Sequence, residues 1–135
     1  MGKKWPEKIK YLGYISYDDV IRLSFECDLL LGLRNPKDIP NKYNCGSKLM
    51  KALMCGKPCL VNEGTSGADI VRKENCGLIV EGMNQKELMS AIETLRNDNQ
   101  LVKRLGKNAR SAYENTYGWP IMEGRLIELY ENLVR

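Results

Sequence analysis

Apolar positions along this 135-residue chain fall into short continuous runs separated by longer stretches of helical period. Ile9-Lys10-Tyr11-Leu12 reads as a short strand ending at Gly13. Ser16, with Asp19 three residues on, forms a capping box for a helix that carries Val20, Ile21, Leu23 and Phe25 and ends near Cys27. Asp28 to Leu33 is a continuous apolar run, the pattern of a parallel strand covered on both faces. A long polar loop follows from Arg34 to Gly46, interrupted by Pro36 and Pro40. The next helix has Leu49, Met50, Leu53 and Met54 on its core side and Lys48, Lys51 and Cys55 on the other. A Gly56-Lys57-Pro58 turn leads to a buried strand, Cys59-Leu60-Val61. Glu63 to Gly67 is a small-residue loop entering a helix capped by Ser66, with Asp69 in its first turn. Gly77-Leu78-Ile79-Val80 is the last strand, and Asn84 with Glu87 caps a helix to about Arg96. Another helix runs from about Gln100 to Asn115, Tyr117-Gly118-Trp119 breaks it, and Pro120 begins a final helix to Val134.

Strands spaced by helices specify an α/β fold, a partial Rossmann-like parallel sheet of about four strands with helices on its flanks and at the C-terminus. One domain spans 1–135. In such sheets ligands sit at the carboxyl ends of the strands. Those ends are Gly13-Tyr14-Ile15, Arg34 onward, and Asn62 to Gly67, so the polar loop and the small-residue loops are expected on one edge.

Charge sharpens that expectation. The net charge is +4, and the segment from Arg34 to Lys51 alone carries Arg34, Lys37, Lys42, Lys48 and Lys51 against Asp38. The basic surplus therefore coincides with one edge of the sheet and calls for an anionic ligand. Nucleic acid is not expected, because no aromatic-interleaved basic stripe accompanies it. The helix after Gly46 offers free backbone N–H groups, yet carries Lys48 and Lys51 early, where the helix dipole disfavours cations by roughly 0.3–1 kcal/mol each. A bound phosphate accounts for them; a solvated basic helix face is the alternative.

Composition narrows the chemistry. Hydrophobic residues make up 43% and charged residues 28%, ordinary for a globular domain. No run of about 18 apolar residues provides a transmembrane segment, and the start lacks the apolar region of a secretory signal. Gly2 is a poor acylation site because position 6 is Pro6. The chain has no histidine, which removes the commonest general base and metal ligand; no metal site is expected. Its five cysteines form no CxxC pair and read as reduced thiols of a cytoplasmic protein. Cys27, Cys55 and Cys59 read as small core fillers.

Taken in order, the segments resemble the C-terminal, donor-binding half of GT-B glycosyltransferases, in particular the large retaining group 1 family. Tyr11-Leu12-Gly13-Tyr14-Ile15-Ser16 resembles its strand-and-turn "G-x-(V/I)-(S/P)", and Ala52-Leu53-Met54-Cys55-Gly56-Lys57-Pro58 its "A-M-A-x-G-x-P". Asp69-Ile70-Val71 falls at "E-I-V", and Asn75 to Val80 at "x-x-G-x-L-V". Leu105-Gly106-Lys107-Asn108-Ala109-Arg110 and Tyr117-Gly118-Trp119 resemble "x-G-x-x-A-R" and "F-S-W". The resemblance covers residues 9–134. Each piece alone is weak; the ordered set is fairly specific.

The resemblance implies a nucleotide diphosphate-sugar as substrate, no separate cofactor, and transfer of the sugar to an acceptor. Gly46, Ser47, Lys48 and Leu49 take the place of the helix N-terminus that holds the diphosphate, with Lys51 and Arg34 as further phosphate partners. Ser47 could equally be a plain N-cap. Tyr14 and Ile15 fall where the base lies, although Tyr14 could be an exposed turn aromatic. The family places two glutamates eight residues apart, at the sugar and at the ribose; this chain has Tyr43 and Lys51 there. Tyr43 is thus the candidate at the sugar. A lysine has only donors and cannot accept from a ribose diol, and Asp38 or Glu63 could substitute. Asp69 reads more simply as a helix-capping residue.

The family's first two βα units and its acceptor domain have no counterpart here. The resemblance therefore implies a fragment or split half completed by a partner chain, a smaller sheet, or a homo-oligomer, and a chain inactive alone. A degenerate, non-catalytic binding or assembly module of the same fold is the alternative.

Overall fold

The computed structural model describes residues 6–82 and 84–134; Gly2, considered above, lies outside them. Three parallel strands form one sheet in the order β1-β2-β3: β1 (Leu30–Leu31), β2 (Cys59–Asn62) and β3 (Gly77–Val80). Leu30 pairs with Cys59 and Leu31 with Leu60, while Cys59 to Asn62 run in register with Gly77 to Val80. The α/β parallel architecture is as the sequence pattern requires, with three strands rather than about four. Ile9 to Leu12 forms no strand. Ile9, Tyr11 and Leu12 are 50%, 67% and 43% exposed, and among the described residues β1 is laddered to β2. A segment with no buried face gains little from joining a sheet.

Among the described residues seven α-helices surround the strands: α1 (Tyr17–Glu26), α2 (Ile39–Tyr43), α3 (Ser47–Cys55), α4 (Ser66–Glu74), α5 (Gln85–Asn97), α6 (Asn99–Ala112) and α7 (Trp119–Leu133). Ser16 caps α1 by accepting from the Asp19 N–H at 3.1 Å. Asn84 caps α5, accepting from Lys86 N–H at 3.0 Å, and Asp98 caps α6. The cap of α4 is Thr65, whose hydroxyl accepts from Ala68 N–H at 3.2 Å; Ser66, expected in that role, is the first helical residue. The Arg34–Gly46 loop contains the short α2, opened by Pro40 near its start. A π-helical turn, Tyr113–Tyr117, joins α6 to α7.

β2 is the centre of the molecule. Cys59 and Val61 face Leu49, Leu53, Val71 and Ala109 on one side, and Leu60 faces Val80, Leu95 and Leu105 on the other. That is the period-two alternation of a strand covered on both faces. Full burial of each such leucine stabilises by roughly 1.5–3 kcal/mol. On α3 the buried stripe is Leu49, Ala52, Leu53 and Cys55, with Met50 and Met54 half-buried, so Cys55 joins the core side. Burial pushes the Cys59 thiol up to about 12 and the Cys76 thiol to about 11. No helix among the described residues is long and apolar enough to cross a membrane.

Candidate functional site

The two ends of α3 are treated differently. At its C-terminus Gly56 adopts φ 63°, ψ 40°, and its N–H closes back on Ala52 and Leu53 carbonyls. Arg110 on α6 reaches across to donate from Nη1 to the Met54 carbonyl at 2.6 Å. This approach needs Gly106, where a Cβ would lie 2.5 Å from the Gly56 oxygen. The Gly106 to Arg110 segment therefore completes the C-terminus of α3 and lies away from any ligand edge.

The N-terminus has no such closure. Its cap is Gly46, at φ 76° and ψ 139°, with no side-chain hydrogen bond to the helix. Asn44 Oδ1 turns the chain by accepting from Gly46 N–H at 2.8 Å. The next amides, of Ser47, Lys48 and Leu49, point out of the helix end, and no acceptor among the described residues meets them. Ser47 is thus the first helical residue rather than the N-cap.

Arg34, just past the carboxyl end of β1, lies against this opening. A Cβ on Gly46 would sit 3.0 Å from Arg34 Nε and 3.1 Å from Nη2 and crowd the guanidinium, while the backbone angle itself calls for glycine at 46. Arg34 Nη1 donates to Asn41 Oδ1 at 3.3 Å, and Asn41 Nδ2 is anchored to the Asn35 carbonyl at 3.0 Å. Arg34, Gly46, Ser47, Lys48 and Leu49 line one recess of about 210 Å³ with Gly32, Leu33 and Cys45. Five of the six residues expected at a diphosphate are thereby brought together.

Lys51 stands apart. Its Nζ lies 5.5 Å from the centre of the Tyr17 ring on α1, a cation–π distance, and it does not line the recess. Tyr14 is fully exposed and Ile15 is 38% exposed, and neither lines it. Tyr43 ends α2 at 76% exposure, with the Lys42 ammonium 6.0 Å from its ring centre. Glu63 is engaged by Arg72 at 2.6 Å, and Arg72 also holds Asp69 at 3.1 Å. The Arg72 guanidinium holds the Glu63 carboxyl below its ordinary range. Asp38 accepts from Asn41 Nδ2 at 3.3 Å.

The residue that sequence reasoning missed is Asn62, the last of β2 and 1% exposed. Its Oδ1 accepts from the Arg34 N–H at 2.5 Å, and its Nδ2 donates to the Gly82 carbonyl. One carboxamide thus links the segments leaving all three strands. In sequence, the only signal was a polar residue closing an apolar run.

A family model described as Glycosyl transferases group 1 matches residues 3–112. The spore coat protein SA of Bacillus subtilis is 25% identical over 155 residues, covering 97% of this chain and 39% of that protein. A GDP-mannose-dependent monoacylated alpha-(1-6)-phosphatidylinositol monomannoside mannosyltransferase of Corynebacterium glutamicum is 27% identical, covering 93% of this chain and 33% of its own. Among solved structures, a sucrose-phosphate synthase of Thermosynechococcus elongatus superposes with a TM-score of 0.80 at 21% identity, covering 95% of this chain and 31% of that one; that likeness concerns the fold. This chain spans little more than a third of the length of the curated relatives it matches.

Proposed function

Since the chain belongs to the group 1 glycosyl transferases, we propose that it supplies the donor-binding part of such an enzyme and holds a nucleotide diphosphate-sugar by its diphosphate. The carrying observation is the open N-terminus of α3 at the carboxyl edge of the sheet, with Arg34 beside it and Lys48 in its first turn. Free N–H groups and fixed positive charge there stabilise the ground-state diphosphate. They stabilise it more once the glycosidic bond breaks and charge collects on the leaving group. Transfer to an acceptor requires surfaces supplied by a partner chain or further domain, and this chain alone is inactive. The corynebacterial relative is named for GDP-mannose, so GDP belongs among the nucleotides to test.

Calorimetric titration with UDP, GDP and ADP and their sugars tests the reading. Saturable binding of at least one diphosphate, weakened about fivefold or more by Lys48→Ala, supports it; a charge-assisted hydrogen bond contributes about 1.5–3 kcal/mol. Absence of binding to all three, with a partner chain present, rejects it. A second reading, a non-catalytic module that keeps the diphosphate site, is favoured by Lys51 lying on Tyr17 where the family has a ribose-binding glutamate. Diphosphate affinity to which the sugar adds nothing would select that reading.

A further inference from the structure

We infer that Asn62 is a positioning residue: its buried carboxamide sets Arg34 across the mouth of α3 and couples that setting to the segment after β3. The inference rests on the diphosphate reading of the recess and extends it to a residue outside the recess lining. Asn62 is 1% exposed and sits beside Leu33, Val80 and Leu88. A carboxamide in such surroundings is tolerated only when its polar atoms are paired. Here Oδ1 takes the Arg34 N–H and Nδ2 donates to the Gly82 carbonyl, while the backbone carbonyl of Asn62 accepts from the Thr65 hydroxyl at 2.8 Å.

The amide function is specific to this task. Aspartate could accept from Arg34 but would turn a second oxygen on the Gly82 carbonyl. Leucine would leave the Arg34 N–H and the Gly82 carbonyl both unpaired. With the backbone of Arg34 pinned by Asn62 and its guanidinium held by Asn41, the side chain spans a fixed path to Gly46. Loss of the backbone anchor frees the guanidinium from the helix mouth, although Asn62 itself meets no ligand.

The test is a double-mutant cycle on the full chain, with inorganic pyrophosphate as probe in calorimetry. Asn62→Ala and Arg34→Ala are each expected to weaken binding about threefold to tenfold. In the Arg34→Ala background, Asn62→Ala should change affinity by less than about twofold, because coupled residues are non-additive. The Arg34 Nε–H resonance should also shift in Asn62→Ala. If Asn62→Ala fails to fold, Asn62→Leu, which keeps the buried volume and removes both hydrogen bonds, takes its place in the cycle. Wild-type affinity with only a lowered unfolding midpoint would overturn the inference, as would losses that simply add; both leave the diphosphate site standing. Wild-type protein that binds no pyrophosphate would overturn the site and this inference together.

Discussion

Lys48 and Lys51 lie three residues apart on α3 and look equivalent in sequence, but they serve different surroundings. Lys48 lines the recess and Lys51 covers Tyr17. Lys51→Ala is therefore expected to leave pyrophosphate affinity within about twofold of wild type, against the larger loss for Lys48→Ala, in the same calorimetric titration. The cysteines are another residue-scale matter. An unfolded thiol ionises near about 8.5, whereas Cys59 and Cys76 are pushed up to about 12 and about 11. As pH rises through about 8.5 the unfolded chain sheds protons that the native state keeps. The stability these thiols carry is thus fully present well below that pH and falls as pH rises toward the folded values. Urea titrations at pH 7, 9 and 10.5 should show the midpoint lower at pH 9 than at pH 7 and lower again at pH 10.5. At this scale the sequence displayed charge and residue type but not direction. The basic segment singled out Arg34 and Lys48, which the fold brings to one recess. The stacking of Lys51 and the pairing of Asn62 depend on neighbours far along the chain, and nothing local announces them.

At the scale of elements, α3 is held at one end and open at the other, and the two glycines that make this possible have separable effects. Gly106→Ala places a Cβ 2.5 Å from the Gly56 oxygen. It should destabilise the fold by about 1–3 kcal/mol through overpacking, with pyrophosphate affinity of the folded fraction unchanged. Gly46→Ala puts a Cβ on a positive-φ, extended-ψ backbone used almost only by glycine, costing about 1–3 kcal/mol, and crowds the Arg34 guanidinium. It should lower both the unfolding midpoint and the affinity. Elements with a long apolar run or a capping box were legible: β2, β3, α1 and α5 lie where their patterns put them. The misses share a cause. Ile9 to Leu12 has strand-like residues but stays largely exposed, and strand propensity reports packing more than backbone preference. Thr65 and Ser66 are both good caps, and the helix starts where the Thr65 hydroxyl also reaches the Asn62 carbonyl.

For the whole molecule, the described residues form a three-stranded sheet whose carboxyl edge carries the recess. β1 meets β2 on one side only, and α7 has Leu126, Leu129 and Leu133 at 45%, 55% and 72% exposure. On the donor-binding reading proposed above, product assays of the chain alone with a GDP- or UDP-sugar should stay at background. The order of weak motifs carried the family assignment from sequence, whereas the placement of Tyr14, Ile15 and Tyr43 outside the recess needed the assembled fold. An amide-resolved NMR titration with the diphosphate that binds best in calorimetry tests the α3 N-terminus as the diphosphate site directly. The amides of Gly46, Ser47, Lys48 and Leu49 are predicted to shift together, saturating with one dissociation constant. Saturable binding that leaves those four amides unmoved would contradict the assignment of the α3 N-terminus as the diphosphate site.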